Sequence, residues 1–277
     1  MTCHSCECQN PLFFENDLCL TCGAVVGFDP VGRDLIPLEQ AAPDLWARKG
    51  ENTPSRWRLC ANRGLCGCNW LLPEGDTAAL CATCATTRTI PNLAEPESQD
   101  HWRTIESAKR RLLFTLLNLR LWGIGSRLQT SQPLVFDFIA DLPGGPPVTT
   151  GHENGVITLN LAEADDVHRE QTRASLNEPY RTLLGHLRHE TGHYYWDTLI
   201  QNSPQLQECR QLFGDDTLDY PAAMAAYYEA GPPPGWRENH ISAYATMHPW
   251  EDWAETWAHY LHLTDTLETA EEIGRAH

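Results

Sequence analysis

The sequence predicts an α+β protein in which a small cysteine-rich region, residues 1–92, precedes a compact domain, residues 93–277. Three observations support this prediction. Ten of the eleven cysteines lie before residue 85. Two short apolar runs, 134–139 and 155–160, have the length and composition of strands. From residue 161 onward the pattern is mostly helical, so strands and helices are segregated along the chain.

The composition is that of an acidic globular protein. Its 277 residues include 37 Asp and Glu against 20 Lys and Arg, a formal charge of −17. Such a surface repels phosphate backbones and anionic membranes, so we expect neither nucleic acid nor a membrane as partner. The chain has no run of eighteen apolar residues, and its start lacks the basic and apolar stretches of a secretory signal. CxxC pairs on such a chain indicate metal binding in a reducing cytoplasm.

The first cysteines form two CxxC pairs separated by a short loop. Four thiolates at this spacing can close a tetrahedron around one zinc ion, which predicts a structural site. Cys8 is left over, and we interpret it as a free thiol beside the site. The predicted ligands are Cys3, Cys6, Cys19 and Cys22.

A second group of five cysteines follows within 25 residues, between Cys60 and Cys84. One CxxC pair closes the group, and two of the three upstream cysteines must complete a tetrahedron. Cys66 and Cys68 are too close in sequence for a normal CxxC pair, so we assign Cys60 instead of Cys66. This second structural site is predicted to use Cys60, Cys68, Cys81 and Cys84.

After residue 92 the chain alternates between helical and strand-like segments. Asp100 is a suitable cap for a helix over about 101–122, and the two strands follow. The strand at 155–160 is expected to present an edge to an extended peptide. A long helix is predicted from Tyr180 to Gln201, and a last helix begins at Pro249, whose fixed φ suits a first turn.

The long helix carries the motif HExxH. His189 and His193 are four residues apart, so both imidazoles project from one helix face and can bind one zinc ion. Glu190 is placed to take a proton from a water molecule that the metal makes more acidic. The sequence therefore predicts a catalytic zinc with Glu190 as general base.

A catalytic zinc needs a third protein ligand and an open fourth position. Glu251 and Glu255 lie on one face of the last helix, so one can bind metal while the other orients a ligand histidine. We assign Glu251 as the ligand, with Glu255 as its main rival and Asp216 or Asp219 as poorer candidates. Tyr244, seven residues before Glu251, is a candidate donor to the oxyanion of the reaction. The alternative interpretation of Glu251 and Asp252 is that acids in the first turn of a helix complement the helix dipole without binding metal.

Several motifs together resemble one bacterial family, the zinc-binding metallopeptidases that carry an N-terminal zinc-ribbon domain. The resemblance extends over nearly the whole chain and implies a zinc-ribbon region followed by a compact gluzincin-like metallopeptidase domain. It also implies that Glu251 binds the metal and that Glu255 lies behind a ligand histidine. Besides HExxH, the motifs are Phe14-Glu15-Asn16, Cys68-Asn69-Trp70, Tyr180-Arg181-Thr182-Leu183-Leu184-Gly185-His186 and His248-Pro249-Trp250-Glu251-Asp252-Trp253-Ala254-Glu255.

These patterns predict a cytoplasmic zinc peptidase that acts on a peptide or protein substrate, with one catalytic and two structural zinc ions. The ribbons are expected to bind a protein partner or narrow substrate access. The alternative is a non-enzymatic interaction module in which the HExxH site holds a structural zinc. Glu190 favours the enzyme, because a purely structural site has no use for it.

Overall fold

The computed structural model describes residues 4–51, 54–128, 132–175, 181–272 and 274. Cys3 and Tyr180, which the sequence analysis names, lie outside these ranges. The α+β class is confirmed. The strands are β1 (His4–Ser5), β2 (Pro11–Leu12), β3 (Val25–Asp29), β4 (Asp34–Ala42), β5 (Leu45–Arg48), β6 (Trp57–Leu59), β7 (Leu71–Pro73), β8 (Thr87–Thr89), β9 (Val135–Ile139), β10 (Gly151–Glu153) and β11 (Val156–Asn160). The helices are α1 (Arg63–Cys66), α2 (Ser98–Asn118), α3 (Asp166–Ser175), α4 (Leu183–Tyr195), α5 (Leu206–Phe213), α6 (Tyr220–Ala230) and α7 (Pro249–Glu272).

The N-terminal region is built from short antiparallel strands. β1 and β2 form a hairpin, and β3 to β7 form a five-stranded sheet in sequence order. The sheet has a small separate core of Ile36, Leu38, Trp57 and Leu71, while other residues of the same strands, such as Phe28 and Leu72, belong to the main core. Metal bound at the cysteine groups described below would add cross-links to this small separate core.

The N-terminal region packs directly onto helix α2. Phe14 and Phe28 contact Phe114 of α2, with ring centroids 4.7 and 5.5 Å apart, and Trp70 packs at a tilt against Phe28 with centroids 4.7 Å apart. Asn69, from the same motif as Trp70, donates from its buried amide to the Phe14 carbonyl at 2.6 Å. These contacts merge the cores of the two regions into one cluster.

A four-stranded sheet with the order β10-β11-β9-β8 forms the base of the second region. β9 pairs in parallel with both β11 and β8, and β10 pairs antiparallel with β11. β8 lies before residue 92, so the cysteine-rich region contributes a strand to this sheet. The expectation that residues 155–160 present an edge is wrong, because β11 is hydrogen-bonded on both sides and β10 forms the edge instead.

Helices α2 and α4 share one buried core with this sheet. α4 packs on α7 along much of its length and on α2 at its other side. α2 begins three residues before the predicted helix, and α4 ends at Tyr195 in a single π-helical turn, Trp196–Ile200. α7 begins at Pro249, as predicted. None of the helices among the described residues has the length and hydrophobicity needed to cross a membrane.

Candidate active site and metal centres

Helix α4 carries the HExxH motif, and its first turn is fixed by an N-terminal cap. Thr182 caps the helix, and its hydroxyl accepts a hydrogen bond from the Gly185 amide at 3.1 Å. Leu187 and Tyr194 are buried on the face that meets the core. The opposite face therefore carries His189 and His193 toward α7.

Three donor atoms meet where α4 faces the start of α7. His189 Nε2 lies 3.2 Å from His193 Nε2 and 3.0 Å from Glu251 Oε2, and His193 Nε2 lies 3.5 Å from Glu251 Oε1. Metal–ligand bonds of about 2.0–2.1 Å in a tetrahedron separate donor atoms by about 3.3 Å. The three side chains therefore fit one zinc ion. Within the described residues they form a three-ligand group, which leaves one tetrahedral position open.

Glu255 lies behind this group. Its Oε1 is 2.7 Å from His189 Nδ1, one turn of α7 after Glu251. The contact favours the tautomer with the proton on Nδ1, so that Nε2 faces the metal position. The structure thus brings the four predicted side chains together, with Glu251 at the metal position and Glu255 behind a histidine.

The two weaker ligand candidates are engaged elsewhere. Asp216 accepts a hydrogen bond from Arg210 Nε at 2.5 Å, and Asp219 caps α6 by accepting from the Ala222 amide at 3.0 Å. Neither belongs to the group of donor atoms around His189.

A glycine within HExxH sets the distance between α4 and α7. A Cβ on Gly192 would lie 2.8 Å from the Ala254 Cα and 3.2 Å from its Cβ. Trp253 also donates from its indole to the Gly192 carbonyl at 2.8 Å. Because Ala254 lies between Glu251 and Glu255, this close approach positions both carboxylates.

Gly192→Ala is expected to push α7 away from α4 and to loosen the metal group. Overpacking of this kind costs about 1–3 kcal/mol of stability. We expect a lower thermal midpoint and weaker zinc binding, measured by scanning calorimetry and chelator competition. Gly64→Ala is a matched control, since Gly64 is also helical and a Cβ there meets nothing within 4 Å. Equal midpoints and zinc affinities for wild type and Gly192→Ala would refute this role.

Four thiols cluster in the β1–β2 hairpin and the loop after it. Their sulfurs lie within 4.8 Å of one another, and both Cys6–Cys22 and Cys8–Cys19 are 3.6 Å apart. Zinc–sulfur bonds of about 2.3 Å separate tetrahedral sulfurs by about 3.8 Å, so this group fits one zinc ion. Cys8, interpreted from the sequence as a spare thiol, lies inside the group. Cys3 lies outside the described residues, so its assignment stays a prediction.

The second thiol group consists of the four cysteines that the sequence predicts, Cys60, Cys68, Cys81 and Cys84, all buried. Cys68 Sγ and Cys81 Sγ are 3.5 Å apart, again close to the edge of a zinc tetrahedron. The buried guanidinium of Arg110 donates to the Cys66 carbonyl at 3.3 Å, next to this group. Its positive charge on α2 offsets part of the negative charge that four thiolates bring.

Two family models match the chain in succession. Residues 98–277 match a family described as "Putative zinc-binding metallo-peptidase", and residues 2–95 match a zinc-ribbon domain. The chain belongs to this metallopeptidase family. The resemblance drawn from the sequence motifs is thereby confirmed.

Relatives of this chain occur in mycobacteria. An uncharacterized protein of Mycobacterium tuberculosis and one of Mycobacterium bovis are each 44% identical over 274 residues, which cover 99% of this chain and 76% of the relative. No solved structure matches the chain.

The charges around the His189–His193–Glu251 group suit a bound cation. Burial raises the pKa of the Glu251 carboxyl, but His189 and His193 outweigh burial and hold this pKa well below its ordinary value. Burial lowers the pKa of His189, but Glu251, Glu255 and the nearby charge of Glu190 raise it well above its ordinary value. The carboxylates therefore attract positive charge to this point, and a divalent cation can displace the proton.

Two tyrosines border the metal group. The ring of Tyr244 has its centroid 6.2 Å from that of His189, so the predicted oxyanion donor lies beside the site. Tyr220, which the sequence analysis did not identify, donates from its hydroxyl to Glu251 Oε1 at 2.7 Å. It lies 31 residues before Glu251, and no fixed spacing in the sequence connects them.

Proposed function

We propose that this protein is a zinc peptidase that cleaves peptide bonds at the His189–His193–Glu251 group. One observation carries the proposal: two histidines of HExxH and a glutamate of another helix meet at tetrahedral spacing. Three protein ligands with an open position are typical of catalytic zinc, whereas structural sites have four. Glu190, next to a ligand and outside the ligand group, supports an enzyme further.

Each residue has a defined part in the proposed reaction. Zinc in this group would supply Lewis acidity, polarising the peptide carbonyl and making water easier to deprotonate. Glu190 accepts the proton of the attacking water and passes it to the leaving amine. Tyr244 donates a hydrogen bond to the oxygen that gains negative charge. Glu255 holds the His189 ring so that Nε2 faces the metal.

We propose that the substrate is an extended peptide bound along β10. This strand pairs with β11 on one side, and no described strand pairs with its other side. It also contacts α4, the helix that carries HExxH. An edge strand offers unpaired backbone groups to which a peptide can add as a further strand.

We further propose one catalytic and two structural zinc ions. Elemental analysis of freshly purified, reduced protein should give three zinc ions per chain, and His189→Ala should give two. A chelator should remove the catalytic ion first, because its open position is accessible. One zinc ion or none in the wild type would contradict this layout. Cys8→Ser and Cys3→Ser then show which cysteine is the fourth ligand of the N-terminal site. Only the substitution of a true ligand should lower the zinc content to two ions per chain.

The test of activity is hydrolysis of a diverse peptide library, with products identified by mass spectrometry. Wild type should cleave peptides, and His189→Ala should not. A wild type that carries its third zinc ion and cleaves nothing would favour the interaction module.

Thiolate sites need reduced cysteines, which supports the expected cytoplasmic location. Any partner of the ribbons is expected to be a protein, given the acidic chain.

A further inference from the structure

The metal group contains one hydrogen bond that the proposed reaction leaves unexplained. Tyr220 donates to Oε1 of Glu251, the predicted metal ligand. The other oxygen, Oε2, is buried, and no described residue forms a hydrogen bond with it. This same Oε2 lies 3.0 Å from His189 Nε2. The two oxygens of Glu251 therefore have different surroundings.

The start of α6 and two aromatic contacts hold Tyr220 in place. It begins α6, whose start is fixed by the Asp219 cap and the proline that follows Tyr220. Its ring packs edgewise on His248 and on Trp250, with centroids 5.2 and 5.8 Å apart. Trp250 in turn packs on the metal-group histidine His193, with centroids 4.0 Å apart. The hydroxyl is thus directed at Glu251 by the same residues that begin α7.

We propose that Tyr220 is a positioning residue that restricts Glu251 to binding metal through Oε2 alone. A carboxylate can bind a metal with one or two oxygens. The hydrogen bond from Tyr220 occupies Oε1, which also lies 3.5 Å from His193 Nε2, and it leaves Oε2, 3.0 Å from His189 Nε2, free to bind the metal. The fourth position then stays free for water or substrate, which a catalytic zinc requires. Tyr220 therefore acts through Glu251, whereas Tyr244 lies beside His189.

This inference rests on the proposed metal centre, but its test does not need peptide hydrolysis. Tyr220→Phe keeps the ring and its packing and removes only the hydroxyl. The matched control is Tyr260→Phe, because Tyr260 is exposed on α7. Circular dichroism checks that each variant is folded. The catalytic ion is removed from the full-length protein with a chelator and replaced with Co²⁺, whose visible absorption reports the coordination of this site.

Loss of the hydroxyl is expected to weaken zinc binding at this site by about 10–100-fold in chelator competition. The Co²⁺ absorption should change in Tyr220→Phe and stay unchanged in Tyr260→Phe. Unchanged zinc affinity and Co²⁺ absorption would overturn the proposal, whether or not peptide cleavage falls. A fall in cleavage alone would mean that Tyr220 acts on the substrate instead of on Glu251. If no peptide is cleaved even by wild type, the metal measurements still decide the role of Tyr220.

Discussion

Glu190→Gln is expected to lower peptide hydrolysis by about 10²–10⁴-fold, the usual contribution of a general base. The amide has nearly the shape of the carboxylate but cannot accept the proton of the attacking water. Glu190 is not one of the donor atoms that meet in the metal group, so the catalytic zinc should remain bound. The measurement is library hydrolysis by wild type and variant, each with its zinc content determined.

The control for this variant is Glu271→Gln, the same chemical change at an exposed position near the end of α7. It should leave both hydrolysis and zinc content unchanged. Equal cleavage by wild type and Glu190→Gln would show that a contaminant or another mechanism is responsible. If Glu190→Gln lost the zinc ion as well, Glu190 would be acting as a ligand, and its assignment as base would be wrong.

Glu251→Ala is expected to empty the catalytic site, whereas Glu255→Ala should keep zinc with about 10–100-fold lower affinity. The first change removes a donor atom that lies 3.0 Å from His189 Nε2. The second removes the contact to His189 Nδ1, on the far side of the ring, and leaves the three donor atoms of the metal group in place. Hydrolysis should fall in both variants and most in Glu251→Ala.

Zinc content at saturating and limiting zinc distinguishes these two roles. Glu255→Ala should recover its third ion when zinc is in excess, and Glu251→Ala should not. The thiol groups provide an internal standard, because both variants should keep two ions. Full occupancy in Glu251→Ala together with loss in Glu255→Ala would reverse the assignment.

The local part of the site could be predicted from the sequence because it follows helical geometry. A spacing of four residues is enough to place His189 and His193 on one face, and the same holds for Glu251 and Glu255. Pro249 marks the start of α7, which fixes where these glutamates lie in the helix. The approach of the two helices is less local, and it depends on Gly192, whose role the structure explains.

What the sequence does not encode locally is how distant segments meet. The β1–β2 hairpin pairs His4 with Leu12, and its tight loop turns Cys6 and Cys8 toward the same thiol group. Counting CxxC pairs cannot reveal such a turn, so the sequence pattern alone leaves Cys8 without a role. Tyr220, the first residue of α6, reaches Glu251 in the first turn of α7 across 31 residues of chain.

The sheet shows the same limit. Residues 155–160 have the composition of a strand, and β11 forms there. Its position inside the sheet depends on β10, its hairpin partner on one side, and on β9, which pairs with it in parallel on the other side. β8 comes from before residue 92 and contributes the other edge. Composition and period therefore predict the strand but not its neighbours.

The central claim is that the ion held by His189, His193 and Glu251 is the catalyst. Its most direct test is to return zinc stepwise to protein from which a chelator has removed only the accessible ion. Peptide hydrolysis should rise in proportion to added zinc and level off at one equivalent per chain. A hydrolysis rate that is already at its full value before zinc is added would contradict the claim. So would a rate that stays at zero after one equivalent has bound.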